Sequence, residues 1–273
     1  MIKSDQWPVG VCSWSIKDDL GTLQRLSEEL KMEHIHLNSG PAMAEGGEKF
    51  LAAVSDQGWK ISCMMIDFPQ EDYSTPATIK VTGGIVPDNC WDVNKQRVFD
   101  AIDLTVKLQV KYLSTHFGFI ELEDAEGAKK ILDRTKLLAD KAAEKNILLL
   151  METGQETADE LRQFLEELNH PALGVNFDPA NMILYDKGNP LEAVQTLAPW
   201  IKHVHIKDGR KTEVPGTWGP EVPWGDGQVG GDEFLKALKK IGYSGVLAIE
   251  REAGENRFED IKLAAERLSK FSG

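Results

Sequence analysis

Eight short apolar runs recur along the chain, each followed by a longer stretch with helical spacing, and this alternation constrains the fold more than any other feature. Parallel strands are buried on both faces and need crossover connections, so repeated strand–helix units build one parallel sheet flanked by helices. The pattern predicts strands at Val9–Ser15, His34–Asn38, Ile61–Phe68, Tyr112–Gly118, Ile147–Thr153, Leu173–Pro179, Ile201–Asp208 and Gly245–Glu252. Helices are predicted to begin near Asp18, Glu48, Asn94, Asp124, Glu156, Asn189, Gly231 and Phe258. Apolar residues three and four apart, as in Val98, Ile102 and Val106, give these segments one face to bury. Eight such pairs are the arithmetic of a (β/α)8 TIM barrel, which takes roughly 250 residues as one domain. Residues 1–273 are therefore read as a single barrel domain, since no Pro/Ser linker or low-complexity tract interrupts the series.

Two connections are longer than a compact barrel needs, from Pro69 to about Asp92 and from Gly209 to about Gly230. Both follow strands, so both lie at the C-terminal face, where barrel active sites are built. The second holds Trp218, Trp224 and three prolines. It reads either as a stiff aromatic cover for a polar, ring-shaped ligand or as a loop that packs its own tryptophans.

Strands five to eight end in LLLMETG, VNFDPAN, HVHIKDG and LAIEREA, which place Glu152, Asp178, His205 and Glu250 at or near their C-terminal ends. Neighbouring strands lie about 4.8 Å apart, so inward side chains at one height converge. Three carboxylates gathered without a cation repel one another and raise their own pKa values. Oxygen ligands with one imidazole suit a divalent cation, Mn2+ first, with Mg2+, Co2+ or Zn2+ as alternatives, rather than copper or an iron–sulfur centre. Singly, each acid has a plainer role as a helix cap and the histidine as a scaffold residue; placed together on consecutive strands, the four are not explained that way. His203 faces the same way as His205 but lies deeper, and Lys207 continues that face toward the mouth.

Lysine and arginine total 31 against 44 aspartate and glutamate, a net charge of −13 that opposes approach to nucleic acid. No apolar run nears the roughly 20 residues of a membrane span, and MIKSDQWPVG has no signal-peptide core. Cys12, Cys63 and Cys90 are odd in number and widely spaced, which argues against a disulfide framework or a zinc ribbon. A reducing, cytoplasmic location is expected, with no nucleic-acid or membrane partner, and the long strand-end loops leave a homo-oligomer open.

These motifs resemble the xylose-isomerase-like superfamily of sugar isomerases and epimerases, which includes ketose 3-epimerases, hydroxypyruvate isomerases and inosose-processing enzymes. The likeness rests on VGVCSWS, METG, NFDPAN, HVHIKD and GYSGVLAIERE and covers essentially the whole chain. It implies that Glu152, Asp178, His205 and Glu250 bind one divalent metal and that Glu152 and Glu250 also handle protons. A cation on the carbonyl and adjacent hydroxyl oxygens of a keto-sugar stabilises the enediolate formed when the neighbouring C–H is lost. Proton return to the opposite face of the same carbon is epimerisation; return to the adjacent carbon is aldose–ketose isomerisation. The expected function is a metal-dependent isomerase or epimerase of a small carbohydrate. Departures from the ketose 3-epimerases bear on the substrate: Asn181 stands where they typically carry His, Ala158 where they carry Glu, and Arg210 follows His205 by five residues instead of six.

Five further residues are expected to line the mouth and contact substrate: Trp14 as a stacking wall, His116 as a donor or acid–base group, and Asn181, Lys207 and Arg210 as partners for substrate oxygens. Packing, scaffold or surface roles are the plain alternative for each. No G-x-x-x-x-G-K-[ST] loop or G-x-G-x-x-G helix opening is present, which favours an unphosphorylated polyol or keto-sugar. The competing reading is a lyase or dehydratase on a keto-sugar, keto-inositol or 3-keto-glycoside, which starts with the same proton abstraction and needs an acid on the departing oxygen. A multi-zinc hydrolase resembling the barrel-type apurinic endonucleases would need more histidines than the six present, and a non-enzymatic carbohydrate-binding barrel would need no four-ligand cluster.

Overall fold

The computed structural model describes residues 1–272. Eight parallel strands form its centre: β1 Trp7–Cys12, β2 His34–Asn38, β3 Lys60–Met65, β4 Tyr112–Thr115, β5 Leu148–Glu152, β6 Leu173–Phe177, β7 Ile201–Ile206 and β8 Leu247–Ile249. Each pairs with its sequence neighbours, and β8 pairs with β1 through Leu247↔Val9, which closes the (β/α)8 barrel. The surrounding helices are α1 Leu20–Leu30, α2 Gly47–Asp56, α3 Trp91–Lys107, α4 Ala125–Glu144, α5 Ala158–Leu168, α6 Pro190–Leu197, α7 Gly231–Lys240 and α8 Arg257–Lys270. Local chemistry starts several of them. The Asp19 carboxylate accepts the Thr22 N–H, Thr157 and Glu160 form a capping box, and Asn189 accepts the Leu191 N–H. No described helix is long and apolar enough to cross a membrane.

Most strands stop earlier than the apolar runs predict, and the reasons are local. β6 ends at Phe177 because Asp178 turns its carboxylate onto the Ala180 and Asn181 N–H groups, and Pro179 has no N–H to extend the ladder. A short helix, Pro179–Leu184, begins there instead. β1 gives way after Cys12 to a tight turn, Ser13–Ile16, which carries Trp14. His116 and Glu250 lie one residue beyond β4 and β8.

Both long connections are folded down. In the first, Gly84 (φ +62°) lies so close to β4's continuation that a Cβ would sit 2.2 Å from the Phe117 carbonyl carbon, so only glycine fits. In the second, Asp208–Gly209 pairs antiparallel with Glu221–Val222, and the buried Asp208 carboxylate accepts the N–H groups of Gly209, Gly225, Gly227 and Val229. Trp224 is buried at 5% exposure with its ring edge-on to Phe234, so half of the expected aromatic cover is core instead.

Candidate active site

Glu152, Asp178, His205 and Glu250 converge at the C-terminal end of the barrel, where Glu152 and Glu250 line a cavity of about 570 Å³. They do not share one ladder level. Glu152 is level with Asn176, two residues before Asp178; Asn176 is level with His203, two before His205; His205 is level with Ala248, two before Glu250. The register thus climbs four residues from Glu152 to Glu250. Tilted barrel strands require such an offset, roughly one residue per strand, for side chains to meet at one height along the axis.

His205 Nδ1 lies 3.1 Å from Glu152, 3.2 Å from Glu250 and 3.4 Å from Asp178. One donor atom from each residue lies within 4.8 Å of the other three. Glu152 Oε2, Asp178 Oδ2, Glu250 Oε2 and His205 Nδ1 are buried and have no hydrogen-bond partner among the described residues. Buried polar atoms are normally paired, and four converging orphans are the wrong contents for a dry core. The three carboxylates crowd one lysine ammonium, that of Lys207, which Glu252 also shares. The donor set, its burial and its charge fit a divalent cation.

The imidazole is set up from below. His205 Nε2 lies 3.0 Å from His36 Nδ1 and 3.2 Å from the Asn176 side-chain amide, which also reaches His203 Nδ1 at 2.9 Å. The Asn176 N–H donates to Nε2, so the imidazole proton lies on Nδ1 among the three carboxylates, and a cation bound there would have to displace it. Burial opposes charge on Glu250, yet Lys207 and His205 hold its carboxyl well below the usual range. Burial likewise opposes the Lys207 ammonium, and Glu250, Glu252 and Asp178 together hold it well above its ordinary value. On Asp178 burial wins and pushes the carboxyl up to about 6.

Four of the five expected wall residues surround the cluster. Trp14 Nε1 donates to Glu250 Oε1 at 2.6 Å, and the Asn181 amide donates to Glu152 Oε1 at 3.4 Å. His116 Nε2 stands 3.5 Å from Glu152 Oε2, and Lys207 Nζ lies 3.1 Å from Glu250 and 2.8 Å from Glu252. Arg210 is not among them. The hairpin that starts at Asp208 turns the chain away from the cavity, and the exposed Arg210 guanidinium donates to the Asp226 carbonyl. The cavity also uses Glu71, Tyr73, Tyr185 and Glu221, which sequence reasoning missed. The length of the 69–92 connection pointed to the first two; nothing local marked Tyr185, which follows the short helix after β6.

The molecule is thus a closed (β/α)8 barrel with a carboxylate–imidazole cluster at four successive strand ends. The chain belongs to the xylose isomerase-like TIM barrel family, which residues 25–271 match. A xylose isomerase domain protein from Planctomyces limnophilus is 30% identical with a TM-score of 0.88, covering 98% of this chain and 97% of that one. A xylose isomerase-like TIM barrel protein from Mycobacterium smegmatis in complex with magnesium shares the fold, at 19% identity and a TM-score of 0.73 over 99% of both chains. Shorter stretches match an inosose dehydratase of Bacillus cereus, 27% identical over 45% of this chain, and a ketose 3-epimerase of Arthrobacter globiformis, 31% identical over 32% of it. Those stretches span 46% and 26% of the two relatives' own lengths.

Proposed function

We propose that the protein is a divalent-metal-dependent isomerase or epimerase that transfers a proton at the carbon beside the carbonyl of a keto-sugar. The observation that carries this reading is the convergence of four unpartnered ligand atoms directly beneath an open cavity. A divalent cation held by Glu152, Asp178, His205 and Glu250, with Mn2+ as first choice, supplies positive charge for the oxygen of the developing enediolate. Glu152 and Glu250 enter from the two ends of the four-strand arc and are oriented separately, one by Asn181 and the other by Trp14. One takes the C–H proton and the other returns it. Lys207 keeps Glu250 unprotonated, the form that can accept a proton, though the same contact weakens it as a base. His116 and Asn181 face the substrate side of Glu152 and can hold hydroxyl oxygens in place. The free cysteines suit a reducing compartment, and we place the protein in the cytoplasm.

Turnover in D2O tests the proton transfer. Deuterium should appear on the carbon next to the carbonyl, and Glu152→Gln and Glu250→Gln should each suppress exchange or block net conversion. Product without solvent label, together with wild-type rates in both variants, would sink the two-base scheme.

A dehydratase is the second reading. Its specific support is the Lys207 ammonium in the cavity wall beside Glu250, placed to hydrogen-bond a departing hydroxyl, together with the matched stretch of an inosose dehydratase. Mass spectrometry separates the two, since isomerisation conserves mass and dehydration removes one water.

A further inference from the structure

We propose that His36, Cys63 and His203 form a second metal site inside the barrel, below the carboxylate cluster, and that it takes a soft monovalent cation, Cu+. One ligand atom from each lies within 4.8 Å of the other two, and all three side chains are buried. Cys63 stands level with His36 because the β2–β3 ladder slips by one residue between Ile35 and His36. The hydrogen bonds around the two imidazoles leave a lone pair on each for an ion. Since His205 Nε2 accepts from Asn176, the His36 proton sits on Nδ1 and is donated to the same atom at 3.0 Å. That leaves His36 Nε2 as the nitrogen with a lone pair, buried and without a partner among the described residues. His203 Nδ1 donates to Asn176 Oδ1 at 2.9 Å, so its Nε2 carries the lone pair as well. The neighbour of that nitrogen is the Ser62 hydroxyl at 3.1 Å, which has the Ile35 carbonyl at 3.2 Å as another acceptor. The Cys63 thiol makes a weak bond to the Met64 carbonyl at 3.2 Å.

Donor type, charge and access choose the ion. One thiolate and two imidazoles are soft donors, unlike the oxygen-rich cluster above them. Cu+ and the Cys63 thiolate cancel, whereas Zn2+ would leave a net positive charge in a dry interior next to a site built for a divalent cation. Donor atoms held at roughly 2.0–2.3 Å around one ion in a trigonal plane stand about 3.5–3.7 Å apart, so the three side chains need to close by about 1 Å at the widest. No electron moves in the binding step. The Cys63 S–H bond breaks, its proton goes to solvent, and an S–Cu bond replaces it. The ion also has an entrance of its own. At the N-terminal end of the barrel a cavity of about 420 Å³ is lined by Ser62 and His203, with Tyr112 and Tyr243, on the face opposite the carboxylate cluster. An ion that displaces the Ser62 hydroxyl from His203 Nε2 reaches the three donors without crossing the active-site mouth.

Anaerobic titration of the Mn2+-loaded protein with Cu+, in competition with the chelator bicinchoninate, tests the site. It is done in a Cys90→Ser background, which removes the one cysteine that is not buried. One Cu+ per chain should be taken up with no loss of Mn2+, and X-ray absorption at the copper edge should show one sulfur and two nitrogen neighbours. Adding Cys63→Ser should weaken capture by at least about a hundredfold, because the only thiolate of the site is gone. Cys12 is buried on the other side of His36, with its sulfur 4.0 Å from Nδ1, and Cys12→Ser should leave capture unchanged. Thermal unfolding checks that each variant is folded, and Cys63→Ala supplies a second thiol-free chain if serine is not tolerated. No copper retained against the chelator, undiminished capture by folded Cys63→Ser or Cys63→Ala protein, loss of capture in folded Cys12→Ser protein, or release of one Mn2+ for each Cu+ bound would overturn the proposal.

Discussion

Glu156 lies between β5 and α5 with only 4% of its surface exposed, and burial pushes its carboxyl from about 4.5 up to about 8, with Lys187 pulling the other way. It should therefore be a neutral acid in the folded protein at pH 7 and a carboxylate in the unfolded chain. Between those two values the native state binds the extra proton, so stability falls as pH rises through this window. Below about pH 4.5 the group costs nothing, because both states are protonated. Three and a half decades of proton affinity correspond to ~5 kcal/mol at about 1.36 kcal/mol per decade, with ~3 kcal/mol already present at pH 7. Glu156→Gln keeps the shape and removes the ionisation. Urea unfolding of both proteins at pH 4, 7 and 9 should give similar stabilities at pH 4 and a progressively more stable variant at pH 7 and 9. Background titrations are common to both proteins and cancel in the difference. Parallel pH profiles, or a variant less stable than wild type at pH 9, would refute the reasoning.

Trp224→Ala should cost ~3–5 kcal/mol because it empties a buried site against Phe234, whereas Trp218→Ala should change stability by less than about 1 kcal/mol and act on ligand binding; thermal unfolding of both separates the two tryptophans. Arg251 bridges Glu221 at 2.6 Å and Asp260 at 2.8 Å, and all three side chains are largely buried. Arg251→Met should therefore lose ~3 kcal/mol at pH 7, and part of that loss should return as pH drops and the two orphaned acids protonate; urea denaturation at pH 7 and pH 5 reads the difference.

The parts of this molecule legible in sequence are those fixed by neighbours along the chain. Asp19, Asp124, Thr157 and Asn189 stand at the N-caps of their helices, so the helix starts were readable to within a few residues. The convergence of Glu152, Asp178, His205 and Glu250 followed from eight counted strands, because barrel closure forces strand ends together whatever the helices do. Strand ends were less legible. Ile66, Phe68 and Phe117 continue the apolar pattern past the last ladder pair because they pack as buried loop residues. At Asp178-Pro179 the signal was present: an acid before proline is a helix start, and that chemistry outweighs the apolar run before it. The outer wall was legible only in part: the two long connections pointed to Tyr73 and Trp218, but the Trp218–Tyr185 contact and the Trp218 bond to the Tyr73 carbonyl arise only through tertiary folding. Arg210 shows the same limit, because its position five residues after His205 says nothing about a strand pairing with Glu221–Val222 that carries it outward.

A cation between Glu152, Asp178, His205 and Glu250 is what the proposed chemistry requires, and anomalous diffraction at the manganese edge from Mn2+-loaded crystals tests for it most directly. One strong peak should lie roughly 2.0–2.3 Å from a carboxylate oxygen of Glu152, Asp178 and Glu250 and from His205 Nδ1, and the same peak should vanish in Asp178→Ala crystals. A peak coordinated elsewhere, or a fully loaded protein whose four side chains stay apart with no density between them, would contradict it.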